Sequence, residues 1–283
     1  MNIRRFLLAI NYMQFINVKQ KNKLIHFLSD QSKIILPIEY QMLKMLLQID
    51  LNFQDDYQKA LEYAINYNGN FICIIDPEYP EHLRQISQPP IVLSYKGDIQ
   101  LLNLSSLTVV GTRLASQYSM QVLRKLLPEI IENKIAIVSG LARGVDAIAH
   151  QITLGNLGKP IAVIGTGLDR NYPSINAKLQ NNIAERGLLL SEYPDEFGPR
   201  KQHFPARNRI LAGLSSATLV VEAKKRSGSL ITANLANEFG RNVLAIPGKI
   251  DDINSVGAND LINQGAKIIN DSQDILNEIY RFS

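Results

Sequence analysis

The pattern of apolar and polar residues changes character near residue 107 of this 283-residue chain. Over residues 1–68 the apolar residues recur at roughly helical spacing, which predicts a set of short helices. The polar and glycine-containing run at 66–70 predicts a turn that closes this region. Prolines are frequent in residues 71–104, and they favour an extended path over a helix. We therefore predict a small helical N-terminal domain over residues 1–68.

From residue 107 onward, β-branched runs alternate with amphipathic stretches. The runs predict strands at Thr108–Val110, Ala136–Ser139, Ile161–Ile164, Leu188–Ser191, Thr218–Val221 and Asn242–Ile246. The stretches between them predict helices near Gln117–Asn133, Val145–Leu154, Asn176–Glu185, Asn208–Leu214 and Leu230–Phe239. Strands separated by helices form right-handed βαβ units and a parallel sheet covered on both faces. The predicted fold of residues 69–283 is therefore α/β, an extended Rossmann-like, doubly wound and mostly parallel sheet.

Composition adds moderate constraints. A net charge of +4 and a pI near 9.0 permit a nucleic-acid partner without requiring one. The single cysteine, Cys73, excludes an internal disulfide and fits a reducing compartment. The apolar start is interrupted by Asn11 and Gln14 and shows no cleavage site, and no run has the length of a membrane span. We expect a cytoplasmic protein with no membrane partner.

The segment Arg200–Arg209 gathers four basic residues around one aromatic ring. Its candidate ligand-binding residues are Lys201, Phe204, Arg207 and Arg209. Guanidinium and ammonium groups pair with phosphates, and a flat ring offers a stacking surface to an unpaired base. This combination is typical of proteins that hold single-stranded nucleic acid without reading its sequence.

Four glycine-containing loops follow predicted strands. In a parallel sheet such loops lie together at the carboxyl edge, where ligands bind, and glycine lets backbone N–H groups approach a phosphate. Together the loops supply the candidate phosphate-binding residues Gly111, Thr112, Arg113, Ser139, Gly140, Arg143, Gly165, Gly167, Arg170, Ser227 and Gly228. Each loop alone is weak evidence, and Gly111 also fits a simple turn. Four of them beside the basic segment predict a phosphate-rich ligand.

Several residues near these loops have simpler interpretations. Asp146 suits the first turn of a helix, where it offsets the helix dipole, and we expect an ion pair between it and His150. Ser229 fits a helix N-cap. Gly165 and Gly167 begin a dinucleotide fingerprint, but Arg170 stands at the third glycine position, which disfavours NAD.

The residue patterns also limit the chemistry. The chain has neither a P-loop nor a HExxH or CxxC motif, so we predict no cofactor, no metal and no catalytic residue. One alternative remains open at this stage. Carboxylates near strand ends are the groups that a two-metal nuclease would gather: Asp169, Glu192, Asp195 and Glu222.

A set of motifs, in order over roughly residues 70–270, resembles the DNA-processing protein A family (DprA, also called Smf). The motifs are Val110–Arg113, Ser139–Asp146, Gly165–Asp169, Tyr172-Pro173, Ser191–Tyr193, Phe204–Arg209, Ser227–Thr232 and Ile246–Gly248. The resemblance implies an extended Rossmann fold that binds single-stranded DNA, forms a homodimer and loads the RecA recombinase onto incoming DNA during natural transformation.

The resemblance also implies roles for particular residues. The family's phosphate pocket falls on Gly111, Thr112, Arg113, Ser139, Gly140, Gly165 and Gly167, and its basic and aromatic groups on Lys201, Phe204, Arg207 and Arg209. Its dimer surface falls on 259–268, with Leu261, Ile262 and Ile268 as apolar candidates.

Two departures from the family pattern matter. Some members have a basic residue after the Tyr-Pro pair, whereas this chain has Ser174, which puts more weight on Arg170. Some also carry a C-terminal winged helix, and because this chain ends at Ser283 we expect no duplex-binding role of that kind.

A competing interpretation is an enzyme. The predicted fold is similar to that of the lysine-decarboxylase-like enzymes that hydrolyse nucleoside monophosphates. Their signature places a catalytic glutamate where the nearest match in this chain has Leu235. Without that carboxylate, general acid–base chemistry lacks a participant. We therefore expect a binding protein rather than an enzyme.

Overall fold

A single nine-stranded sheet organises the part of the chain described by the computed structural model, which covers residues 1–29 and 35–281. The strands are β1 (Asn70–Cys73), β2 (Val92–Gly97), β3 (Ser106–Val110), β4 (Ala136–Ser139), β5 (Pro160–Ile164), β6 (Leu188–Ser191), β7 (Ala217–Val220), β8 (Asn242–Ala245) and β9 (Lys267–Ile268). Their order is β1-β2-β6-β5-β4-β3-β7-β8-β9. β2 pairs antiparallel with β1 and β6, and every other pairing is parallel.

Twelve α-helices accompany the sheet within the described residues. They are α1 (Ile3–Tyr12), α2 (Val18–Ser29), α3 (Tyr40–Leu47), α4 (Gln54–Asn66), α5 (Glu81–Arg84), α6 (Gln117–Glu132), α7 (Val145–Gly155), α8 (Ala177–Arg186), α9 (His203–Leu214), α10 (Gly228–Glu238), α11 (Val256–Asn263) and α12 (Ser272–Tyr280). Short 3₁₀ turns occur at Ile99–Asn103 and Ser174–Asn176. α6 packs against α7 and α12, whereas α9 packs against α10 and α5. The α/β fold class predicted from the sequence is confirmed.

The sheet extends farther than the sequence pattern predicts. All six predicted strands are present, but β1, β2 and β9 were not predicted. β1 and β2 lie in the proline-containing segment that was expected only to be extended, and they add an antiparallel edge beyond β6. β9 has only two residues, which is too short to show an alternating pattern.

The four N-terminal helices share a core with the sheet. Phe6 and Leu24 belong to the same buried apolar cluster as Leu190 and Leu211. The predicted boundary at residue 68 marks the change from helices to strands, but the hydrophobic core continues across it. As a domain boundary it stays a prediction.

A buried polar contact also joins the helical region to the sheet. The Asn11 side-chain amide donates to the backbone oxygen of Glu192 at 2.8 Å, and the Lys21 ammonium donates to Asn11 Oδ1 at 3.0 Å. Both side chains are at least 95% buried. Because buried polar groups must be paired, this contact fixes α1 and α2 against the loop that follows β6.

Candidate nucleic-acid interface

The carboxyl edge of the parallel strands brings the predicted loops side by side. β5, β4, β3 and β7 are consecutive in the sheet, so the loops that follow them form one continuous surface. α9 begins at this edge. It starts at His203, five residues earlier than predicted, which places Phe204 and Pro205 in its first turn. Proline is tolerated there because the first N–H groups of a helix have no partner within it.

An aromatic and cationic stack stands on this edge, and we call Arg113, Tyr172 and Phe204 the platform. The Arg113 guanidinium lies 5.9 Å from the centre of the Phe204 ring. The rings of Tyr172 and Phe204 have centroids 5.3 Å apart and are inclined by 37°. Arg113 is exposed and Tyr172 is 42% exposed. The platform thus presents a charged group and a ring together to solvent, the arrangement that cation–π and base-stacking contacts use.

Gly165 allows the platform to form. A Cβ built on Gly165 would lie 3.0 Å from Cδ1 of Phe204, tighter than ordinary van der Waals contact. The Phe204 ring therefore packs directly on the backbone that follows β5. The side chain of His203 supports this contact, because its Nδ1 lies 3.2 Å from the Gly165 carbonyl oxygen.

Arg207 lies beneath the surface rather than on it. Its side chain is buried, and Nη1 donates to the backbone oxygen of Val163 at 2.6 Å. A side chain at Gly140 would overlap the Arg207 guanidinium, so this glycine provides the space that the arginine occupies. Burial lowers the pKa of Arg207, and the nearby carboxylate of Asp146 opposes that shift. Arg207 Nε has no hydrogen-bond partner among the described residues.

Arg209 has the contacts of a structural residue. Its two terminal nitrogens donate to both carboxylate oxygens of Glu192, at 2.8 and 2.6 Å, and its Nε donates to the backbone oxygen of Gln88. Both partners of the ion pair are more than 90% buried. A two-bond arginine–carboxylate pair fixes orientation as well as charge. The geometry therefore does not favour Arg209 as a ligand of DNA, and it assigns the residue to the attachment of α9.

The expected cradle of backbone donors needs correction at three positions. The N–H of Thr112 donates to the Glu222 backbone oxygen at 2.7 Å, and that of Gly167 donates to the Phe197 oxygen at 2.8 Å. The Gly140 N–H donates to the Asp146 carboxylate at 3.2 Å. These groups are used inside the protein, so they are not available to a phosphate.

Two further predicted residues also have internal roles. The Ser139 hydroxyl donates to the Val109 backbone oxygen at 2.7 Å and is fully buried. A Cβ on Gly111 would overlap the side chain of Val145, which shows that this glycine allows β3 to meet the start of α7. For both residues, membership of the DNA site stays a prediction that rests on position alone.

The remaining predicted residues stand at the surface. Arg143 and Lys201 are exposed, and so is Arg170, whose Nε donates to the Glu196 backbone oxygen at 2.8 Å. Gly228 is exposed and opens α10, and none of the described residues has an atom within 4 Å of the position that a Cβ would take. The Ser227 hydroxyl contacts the Ser229 hydroxyl at 2.9 Å and does not cap α10. The contacts of Ser229 therefore do not show the N-cap expected from the sequence.

Sequence reasoning missed two contributors to this edge. Tyr172 was noted as part of a motif but not placed in the site, because a Tyr-Pro pair in a loop gives no sign of which ring it meets. The run Lys224–Arg226 follows β7 with three exposed cations in succession. This run could have been identified from the sequence, because it follows a predicted strand whose end lies at the same edge of the sheet.

The four acidic residues near strand ends do not gather at one point, although Asp169 and Asp195 are neighbours: the Asp169 N–H donates to the Asp195 backbone oxygen at 3.0 Å. Glu222 is fully buried and accepts from the Ser116 and Ser119 hydroxyls, and Asp169 pairs with Lys96 at 2.9 Å. Among residues 1–29 and 35–281, no three histidine, cysteine, aspartate or glutamate side chains come together in a metal-binding arrangement.

The expected ion pair between Asp146 and His150 is not formed. The Asp146 carboxylate accepts from backbone N–H groups at the start of its own loop. The His150 ring is fully buried, and burial lowers its pKa to about 3. An uncharged imidazole offers no positive partner to a carboxylate, which explains the difference from the expectation.

The apolar residues predicted for a dimer differ in exposure. Leu261 is buried at 7% exposure within the core of its own chain, Ile262 is half-buried, and Ile268 is 40% exposed on β9. Only Ile268 of the three is well placed to meet a second molecule. Across the part of the chain that the structure covers, no helix is both long and apolar enough to cross a membrane.

Comparison with known proteins shows the family of this chain. The family model described as DNA recombination-mediator protein A matches residues 70–280, which include every strand of the sheet and the whole platform. The chain belongs to this family. Its match begins where the N-terminal helices end, so the helical region lies outside the part that the family model describes.

Two relatives are closely similar in sequence. The DNA processing protein DprA of Streptococcus pneumoniae is 49% identical over 229 residues, covering 81% of this chain and 78% of the relative. The protein of the same name from Bacillus subtilis is 44% identical over 211 residues, covering 74% of this chain and 71% of the relative.

Two solved structures are similar in fold. The crystal structure of DprA from Streptococcus pneumoniae covers 98% of this chain and 99% of its own, with a TM-score of 0.88 at 37% identity. The DprA structure from Helicobacter pylori, which concerns the single-stranded DNA binding mode of that protein, covers 76% of this chain and 97% of its own. Its TM-score is 0.68 at 33% identity. The family and the mostly parallel α/β fold predicted from the sequence are thus confirmed.

Proposed function

We propose that this protein binds single-stranded DNA at the platform, protects incoming DNA and loads RecA onto it during natural transformation. The observation that carries the DNA-binding part is the stack of Arg113, Phe204 and Tyr172 at the carboxyl edge. A guanidinium next to rings suits an unpaired base joined to a phosphate, whereas the stacked bases of a duplex would hide their faces from it.

The surrounding charge supports a strand as the ligand. Arg143, Arg170, Lys201 and Lys224–Arg226 are exposed on the same edge, whereas Glu192 and Glu222 are buried and Asp169 is paired with Lys96. Exposed cations that release counterions from phosphates supply affinity without reading sequence. The DNA-binding relative from Helicobacter pylori shares the fold and supports the same proposal.

The roles of RecA and of a homodimer rest on family resemblance. RecA loading supplies a reason for binding a strand without sequence preference, since the loaded DNA has no fixed sequence. It is tested by measuring the DNA-dependent ATP hydrolysis of RecA on strands already coated with a single-strand-binding protein. We expect the protein to shorten the lag before hydrolysis, and an unchanged lag would remove RecA loading from the proposal.

We also propose that the protein is not an enzyme. In α10, Leu235 takes the place where a nucleotide-hydrolysing relative of this fold would need a carboxylate. Incubation with AMP should release no adenine. Release of adenine that depends on the purified protein would favour the hydrolase interpretation.

The DNA-binding proposal is tested by the salt dependence of affinity for an oligonucleotide of mixed sequence. Neutralising about four phosphates per subunit should give a slope of log K against log salt near about −2.8 on a single strand. Lys159→Ala, which removes a cation before β5 at the opposite edge of the sheet, should leave the slope unchanged. An affinity that does not depend on salt would contradict the proposal.

A further inference from the structure

Exposed cations continue along the carboxyl edge beyond the platform. Each strand from β5 to β8 is followed by at least one of them: Arg170 after β5, Arg143 after β4, Arg113 after β3, Lys224–Arg226 after β7 and Lys249 after β8. Neighbouring strands lie about 4.8 Å apart, so the four spacings from β5 to β8 cover about 19 Å. A strand of DNA that follows this row meets a positive charge at every step.

The row ends at a cleft between the start of α6 and the loop after β8. The cleft has a volume of about 600 Å³ and is lined by Ser116, Gln117, Tyr118, Pro247, Gly248, Lys249, Asp252 and Ser255. Small-molecule sites usually measure roughly 300–1,000 Å³, so there is room for a nucleobase with its sugar. Ser116 follows Arg113 by only three residues, so the cleft begins close to the platform along the chain.

An aromatic ring forms one wall of this cleft. The Tyr118 hydroxyl donates to the backbone oxygen of Pro247 at 2.6 Å, which fixes the orientation of the ring, and the side chain stays 39% exposed. A ring held in place from one end can receive a base with little loss of side-chain freedom. Ile250, which follows Lys249 in the loop after β8, is 96% exposed.

The charges around the cleft favour a nucleotide over other occupants. Lys249 is exposed and forms no ion pair with any described residue. The carboxylate of Glu222 is fully buried and satisfied by Ser116 and Ser119, and Asp252 accepts from the Asn254 N–H. The rim therefore carries one cation, Lys249, and one carboxylate, Asp252, and the ring of Tyr118 beside Lys249 suits a flat base joined to a phosphate. A free phosphate would gain nothing from the ring.

We infer that this cleft is a second base-binding subsite, filled by a nucleotide of the same strand a few nucleotides from the one at the platform. The inference rests on the proposed function, because it needs a strand that already lies along the edge. It assigns Tyr118 to stacking with the base and Lys249 to pairing with the adjoining phosphate. The strand therefore crosses β4, β3 and β7 between its two stacked bases.

Oligonucleotide length separates the two subsites. A strand of about two nucleotides reaches only the platform, whereas one of about twelve reaches both subsites, because the subsites lie a few nucleotides apart. Tyr118→Ala should weaken binding of the longer strand by roughly 5- to 150-fold and leave the shorter one unchanged. Tyr118→Phe keeps the ring and should bind nearly as the parent does.

The charge is tested in the same way. Lys249→Ala should reduce the salt slope by about 0.7 on the longer strand only, and the matched change Lys159→Ala should have no effect on either. Because Lys249 is exposed, its replacement leaves folding intact even if Tyr118→Ala does not fold. A 2-aminopurine placed at successive positions of the longer strand should show one site that responds to Phe204→Ala and a separate one that responds to Tyr118→Ala or Lys249→Ala.

The outcomes distinguish this inference from the proposed function. If the protein binds both strands and the changes at Tyr118 and Lys249 have no effect, or weaken both strands equally, the cleft is not a subsite and single-strand binding at the platform stands. If the unaltered protein binds neither strand, the proposed function fails and the subsite fails with it.

Discussion

Phe204 occupies the centre of the platform, between the backbone at Gly165 and the guanidinium of Arg113. This side chain has three properties that suit it for stacking with a base. Its ring is partly exposed, it lies in the first turn of α9, and the ring of Tyr172 lies beside it. Removing the ring removes the surface on which the other two platform groups rest. The residue therefore tests stacking separately from charge.

Replacing Phe204 by alanine should weaken single-strand binding by roughly 5- to 150-fold, since base stacking contributes about 1–3 kcal/mol per base. The salt slope should not change, because no charge is removed. Phe204→Tyr keeps the ring and should bind almost normally. Affinity titrations at several salt concentrations measure both quantities, and melting curves serve as the control. A destabilised alanine variant with normal affinity would show that Phe204 serves the fold alone.

Arg209 should behave differently from Arg113, although both are arginines at the same edge. Arg209→Ala leaves the Glu192 carboxylate buried without its partner, a loss of about 3–5 kcal/mol in the free energy of unfolding. Arg113→Ala removes an exposed charge and should leave stability nearly unchanged while it weakens DNA binding. Urea denaturation of both variants measures the contrast. Equal stability losses would contradict the assigned roles.

The limits of sequence reasoning are clearest for these residues. Arg207 and Arg209 lie two positions apart in one motif and have the same chemistry, yet one packs on Gly140 and the other pairs with Glu192. Periodicity predicts which helix they belong to, but not the partner that each side chain meets across the sheet. The same limit applies to Gly167, whose N–H is taken by a loop 30 residues away.

At the scale of elements, α9 links the platform to the N-terminal helices. The Glu192–Arg209 pair anchors α9, and Asn11 on α1 binds the backbone of Glu192 while Lys21 on α2 binds Asn11. Burial lowers the pKa of Lys21 to about 8, with the positive charge of Arg209 acting in the same direction and Glu192 opposing it. The helical region is thus docked through a lysine that changes charge in mildly alkaline solution.

A specific pH dependence follows from this lysine. Its pKa falls from 10.5 to about 8 on folding, so the unfolded chain binds the proton more tightly between these values. Stability should therefore rise with pH from about 8 to about 10.5, relative to a Lys21→Met variant in which the group is absent. The difference between the two denaturation free energies, measured at several pH values, isolates this residue from the tyrosines that titrate nearby. If the difference between the two free energies of unfolding stays constant from pH about 8 to about 10.5, the burial of a charged lysine is contradicted.

Elements with strong local patterns were predictable, and others were not. The central strands β3 to β7 are buried along their whole length and β8 over its second half, and their mostly apolar sequences placed all six. Apolar and polar residues alternate less clearly in β1 and β2. These strands are defined by the pairing of β2 with β1 and with β6, and the local sequence of a strand does not show its pairing partner. α9 was predicted five residues short because Pro205 resembles a helix breaker, although it lies in the first turn where proline is allowed.

At the scale of the whole molecule, the exposed edge of β9 offers a place for a second copy. Ile268 is 40% exposed there, whereas Leu261 is enclosed in the core. We predict that Ile268→Glu lowers the fraction of dimer without loss of fold, since an isologous interface would carry the introduced charge on both subunits. Leu261→Glu should instead unfold the protein, because it buries an unpaired charge in its own core. Sedimentation and melting curves separate the two effects, and an undisturbed dimer in the Ile268 variant would place the interface elsewhere.

The central claim, that the platform holds an unpaired strand, is tested most directly by comparing single-stranded and double-stranded oligonucleotides of the same sequence. Fluorescence anisotropy gives both affinities for the unaltered protein and for Arg113→Ala. We predict clear preference for the single strand, and a loss of that preference in the variant with no change in melting temperature. Equal affinity for the two forms, or an Arg113→Ala variant that binds the single strand as well as the parent does, would contradict the account.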